Sequence, residues 1–112
     1  MAASLADALQ RIGLEVGGIA ATRAEATQLL EQGGLDIAFI DLFLGREYHG
    51  LDLAELAAAR ALAVVLVTGH LTDAISDTVA RLPSAALLTK PFSIDQLRTV
   101  VAAVRHSLAK PE

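Results

Sequence analysis

Apolar residues along this chain fall into two alternating patterns: runs spaced three and four apart, and short unbroken blocks. The spaced runs predict helices. In "LADALQRI" Leu5, Leu9 and Ile12 share one helical face, Ser4 with Asp7 forms a capping box, and Gly13 supplies a stop. Thr22 with Glu25 opens "RAEATQLLEQ", which Gly33 and Gly34 close. Leu51 to Ala61 reads as a helix with no comparable cap. Another runs from about Thr72 to Leu82, with Ile75, Val79 and Leu82 on one side and Pro83 ending it. Ser93 with Gln96 opens the last helix, whose apolar stripe is Ile94, Leu97, Val101, Val104 and Leu108.

The unbroken blocks lie between these helices: "VGGIA" at 16–20, "IAFI" at 37–40, "AVVLV" at 63–67 and "AALL" at 85–88. Continuous rather than alternating hydrophobicity is the mark of strands buried on both faces. Strands alternating with helices imply a parallel sheet. The expectation is therefore an α/β fold with about four parallel strands, in the order α-β-α-β-α-β-α-β-α. The first strand is the weakest, because two glycines stand inside it.

Composition narrows the class. A chain of 112 residues is one domain, 1–112, with no internal repeat, linker or low-complexity segment. The hydrophobic fraction is 54%, but the longest clean apolar run, Ala61 to Val67, is far too short to span a membrane. No basic flank with an apolar core opens the chain, so a cytoplasmic location is expected and no membrane partner. The absence of cysteine excludes a disulfide framework, a thiol nucleophile and a thiolate metal site. A net charge of −4 with scattered basic residues argues against a nucleic-acid partner.

Candidate chemistry sits at the strand ends. In a parallel sheet all C-terminal ends share one edge, and ligands of open α/β sheets bind there. "IAFI" ends in Asp41, "VVLV" in Thr68 and "ALLT" in Lys90, followed by Pro91. A carboxylate, a hydroxyl and an ammonium thus converge by topology. Such a set suits phosphoryl transfer, with Asp41 as nucleophile, Lys90 neutralising phosphoryl oxygens and the Thr68 hydroxyl donating a hydrogen bond. Singly, each has a plainer reading: a turn aspartate, ordinary Thr-Gly turn chemistry and a solvated lysine.

"AFIDLFLG", "VVLVTGH" and "LLTKPFS", in this order and spacing, resemble the receiver domain of bacterial two-component response regulators, a flavodoxin-like three-layer sandwich. The resemblance spans essentially the whole chain. It implies that Asp41 accepts a phosphoryl group from a histidine kinase or phosphotransfer protein, that Thr68 moves toward that group, and that Lys90 pairs with it. It further implies a cis peptide bond before Pro91, room for the phosphoryl group at Gly69, and Mg²⁺ held in part by Asp41 and the Phe43 backbone carbonyl. A receiver is a phosphoacceptor rather than a turnover enzyme.

The sequence departs from the family in three places. Receivers begin with a strand that ends in an acidic pair holding Mg²⁺. Here only Met1, Ala2 and Ala3 precede the Ser4 cap, and no acid stands in for the pair, so metal binding is expected to be impaired. The natural gene product is expected either to carry an upstream strand or to have adapted to its loss. The adaptation could be "VGGIA" moving beside "IAFI", strand or helix exchange in a homodimer, or loss of the second strand. The aromatic that many receivers place three residues before the lysine is Leu87 here. The chain ends at Lys110, Pro111 and Glu112, so output is expected through protein contact, via the face formed by 72–109.

Two readings follow: a receiver phosphorylated on Asp41, and a pseudo-receiver that keeps the shape as a protein-binding module. A haloacid dehalogenase-type phosphatase would need a second aspartate two residues after the nucleophile, where Phe43 stands.

Overall fold

The structure is a computed structural model, and it describes residues 2–20, 22–42, 50–82 and 84–109. Its elements run α1 (Ala2–Arg11), α2 (Arg23–Gln32), β1 (Ile37–Asp41), α3 (Gly50–Ala59), β2 (Ala63–Thr68), α4 (Asp73–Arg81), β3 (Ala85–Thr89) and α5 (Ile94–Ala109). The three strands form one parallel sheet in the order β1-β2-β3. Helices cover both faces, making a three-layer α/β sandwich.

The pleat divides the core. Val64 and Leu66 of β2 face α2, α3 and α4, meeting Leu30, Ala54, Ala57 and Ile75. Ala63, Val65 and Val67 face α1 and α5, meeting Leu9, Leu97, Val101 and Val104. All six residues of β2 are buried, which fixes it as the central strand. β1 and β3 are mostly half-buried.

The helix ends show which caps the residues can build. Thr22 caps α2, its hydroxyl accepting from the Glu25 N–H at 3.2 Å. Ser93 and Gln96 cap α5 reciprocally: the Ser93 N–H donates to Gln96 Oε1 at 2.8 Å and the Gln96 N–H to Ser93 Oγ at 3.1 Å. Thr72 caps α4 by accepting from the Ile75 N–H at 3.3 Å. After α1, Leu14 N–H reaches Leu9 C=O and Gly13 N–H reaches Gln10 C=O, a Schellman motif with Gly13 at φ 92°. The same pair of bonds closes α3, from Leu62 to Ala57 and from Ala61 to Ala58. There the left-handed residue is Ala61, at φ 65°.

Three expectations need correction. Residues 16–20 form no strand; they run irregularly past Leu29 and Leu35, so the described sheet has three strands rather than about four. Two glycines give 16–20 little strand preference, and no backbone hydrogen bond ties it to β1 among the described residues. α1 begins at Ala2, so Ser4 lies within the helix rather than ahead of its first turn. α3 ends at Ala59, short of Ala61, because Ala61 has left the helical region.

Candidate functional site

The polar residues at the sheet's C-terminal edge are placed by the backbone ladder. Asp41 lies opposite Val67, and Thr68 opposite Thr89. Two bonds carry the pairing just past the strands: Leu42 N–H donates to Val67 C=O at 3.0 Å, and Lys90 N–H to Thr68 C=O at 2.8 Å. Asp41, Thr68 and Lys90 therefore stand on three adjacent strand ends, as their spacing predicts.

The Lys90 ammonium donates to Asp41 Oδ2 at 2.7 Å. Both side chains are largely sheltered, with 23% of Lys90 and 11% of Asp41 exposed. A charge-assisted bond this short in a partly desolvated site is stronger than a surface pair. The peptide bond between Lys90 and Pro91 is cis, as the resemblance implies.

Thr68 is buried, and its hydroxyl serves its own turn. Oγ1 donates to His70 C=O at 3.0 Å and accepts from His70 N–H at 3.1 Å. Gly69, between them, is exposed. His70, to which the sequence assigns no role of its own, supplies both partners through its backbone, and the plainer reading of Thr68 as Thr-Gly turn chemistry is the arrangement found.

Among the described residues the donor set does not fit a magnesium site. Among the described residues no group of three or more His, Cys, Asp or Glu side chains could hold a metal ion. Asp41, at the sheet's C-terminal edge, already faces an ammonium. Phe43, whose carbonyl the resemblance names as a ligand, lies outside the described residues. Mg²⁺ prefers near-octahedral oxygen coordination with one or two carboxylates, and the neighbouring cation opposes a second positive charge.

A parallel α/β sandwich with an aspartate, a threonine and a cis-proline-flanked lysine along one edge defines a class of phosphoacceptor fold. Residues 1–102 match the response regulator receiver domain family, and the chain belongs to it. The alginate biosynthesis transcriptional regulatory proteins AlgB of Pseudomonas putida and Pseudomonas aeruginosa are 39% identical over 83 residues and 36% over 87. Those stretches are 70% and 74% of this chain but 18% and 19% of the relatives. The receiver domain of a modulated diguanylate cyclase from Desulfovibrio desulfuricans superimposes with a TM-score of 0.79 at 26% identity, covering 95% of this chain and 86% of that one. A CheY-like receiver protein from Methanospirillum hungatei gives 0.78 at 25%, covering 94% and 85%. As a receiver the chain has its place in two-component signal transduction. No helix among the described residues is long and apolar enough to cross a membrane.

Proposed function

We propose that Asp41 is the phosphoacceptor of this receiver, within a single domain spanning 1–112, and that a histidine kinase or phosphotransfer protein supplies the group. The observation that carries this is the 2.7 Å Asp41–Lys90 pair at the C-terminal edge of the sheet. A carboxylate oxygen attacks the phosphorus of a phosphohistidine, the P–O bond forms and the P–N bond breaks. The departing electron pair stays on the imidazole nitrogen, which takes a proton. Lys90 then pairs with a phosphoryl oxygen instead of the bare carboxylate. Exposed Gly69 leaves the approach open, and Thr68 reaches the new group by giving up its bonds to His70. Output runs through the α4–β3–α5 face to a downstream protein.

Phosphorylation is read by intact mass after incubation with acetyl phosphate, with and without Mg²⁺. The chain should gain about 80 daltons for each phosphoryl group. Asp41→Asn should gain nothing. An undiminished gain in that variant would place the acceptor elsewhere.

The donor set favours a second reading, a receiver-shaped binding module that is not phosphorylated. Absence of any mass gain under both conditions would establish it.

A further inference from the structure

The backbone of His70 is bound to Thr68, but its imidazole has no hydrogen-bond or ion-pair partner among the described residues. The side chain is exposed, on the turn that leaves the C-terminal end of β2. The 3.1 Å bond from His70 N–H to Thr68 Oγ1 folds that turn back on the strand end. Asp41 ends the neighbouring strand, opposite Val67 and about 4.8 Å away across the sheet. Gly69, between Thr68 and His70, adds no side chain to the approach. An imidazole at position 70 is therefore within reach of a group carried by Asp41.

A phosphoryl group on Asp41 is an acyl phosphate, and the reaction open to it in water is hydrolysis. The water oxygen attacks phosphorus while the bond from phosphorus to the carboxylate oxygen breaks. The electron pair returns to the carboxylate, and the water gives up a proton.

Few groups at this edge can take that proton. The Asp41 carboxylate is the leaving group and is freed only as the bond breaks. Lys90 is an ammonium with no lone pair. The Thr68 hydroxyl is spent on the His70 backbone, or on a phosphoryl oxygen once it has turned. Two further acids lie on the helices that start at this edge. They are Asp73 in the first turn of α4 and Asp95 in that of α5, the latter paired with Arg98 at 3.5 Å. Carboxylates are weaker bases than imidazole by about two pH units. Imidazole is the side chain suited to accept a proton near neutrality.

We propose that His70 is a catalytic residue for loss of the phosphoryl group. Its imidazole accepts a hydrogen bond from the attacking water and takes the proton as the new bond forms. The products are inorganic phosphate, the Asp41 carboxylate and an imidazolium that returns its proton to solvent. The inference rests on the reading of Asp41 as phosphoacceptor, and it makes His70 the residue that sets how long the phosphorylated state lasts. An imidazolium has no lone pair for the water, so acid lengthens that lifetime.

The full chain is labelled with acetyl phosphate and Mg²⁺ and freed of reagent by rapid desalting, and loss of the label of about 80 daltons is followed by intact mass. Decay timed in this way does not depend on how fast the label enters. It should slow about tenfold from about pH 8 to about pH 5.5. His70→Ala should decay about tenfold more slowly than the parent chain at about pH 8, with a flat profile over the same range. His70→Gln, which orients a water but takes no proton, should lie between the two and be equally flat. All three carry the same phosphoryl group, so titration of that group would appear in every profile. Equal decay of the parent chain and His70→Ala, or the same pH dependence in both, would overturn the proposal and leave Asp41 as the acceptor. Failure of the parent chain to take the label would overturn the acceptor reading and this inference with it.

Discussion

Asp41 and Lys90, 49 residues apart in the chain, meet at 2.7 Å because Asp41 ends β1 and Lys90 directly follows β3, the two strands that flank β2. Both charges are sheltered, so removing one takes a short charge-assisted bond away from the other. Lys90→Met and Asp41→Asn should each cost about 1–3 kcal/mol. In urea denaturation the double variant should lose less than the two single losses combined, with a coupling of about 0.5–3 kcal/mol. Strict additivity would show that the pair contributes nothing to folding.

Thr68 offers a separate test of the same edge. Its buried hydroxyl makes two bonds to the His70 backbone. Thr68→Ser keeps both and should leave stability within about 0.5 kcal/mol apart from the lost methyl contacts, whereas Thr68→Val should cost about 1–2 kcal/mol more than Ser. Hydrogen exchange at the His70 amide should quicken in the valine variant alone.

Ala61 pays a conformational penalty that glycine would not. A β-carbon at φ 65° crowds the following carbonyl. Ala61→Gly should therefore stabilise the domain by about 0.5–1 kcal/mol, despite the usual cost of glycine in the unfolded chain. A lower denaturation midpoint would contradict this account of the α3 terminus.

The core should respond by position. Leu97 of α5 is fully buried against β2 and the α1 side of the sheet. Leu97→Ala should cost about 2–5 kcal/mol by leaving a cavity. Thr72→Ala, which removes only the α4 cap, should cost about 1 kcal/mol.

β1, β2 and β3 were legible in the sequence to within a residue, because blocks of continuous apolar residues bounded by turns have few other solutions. The Thr22 and Ser93 caps were legible for the same local reason: both bonding partners lie within one helical turn. Thr72 escaped because its third following residue is Ile75, which offers a backbone N–H but no acid or amide to return the bond. The α3 end escaped because an alanine, not a glycine, adopts the left-handed turn there. Residues 16–20 misled for a non-local reason. A strand needs a neighbouring backbone, and no local pattern can say whether one stands beside it. At the site, residue types, the edge and the plain turn reading of Thr68 were readable, whereas the direct Asp41–Lys90 bond depends on side-chain rotamers that spacing leaves open.

The ladder bond from Lys90 N–H to Thr68 C=O has a consequence for how this site can change over evolutionary time. Side chains alternate between the two faces of a strand, so slipping β3 by one residue sends the lysine to the opposite face. Slipping it by two restores the face but displaces the ammonium by about 6.6 Å along the strand. No partial misalignment leaves a weakened pair. Length changes within the strands are quantised into intact and broken sites, and gradual drift is confined to the connecting segments.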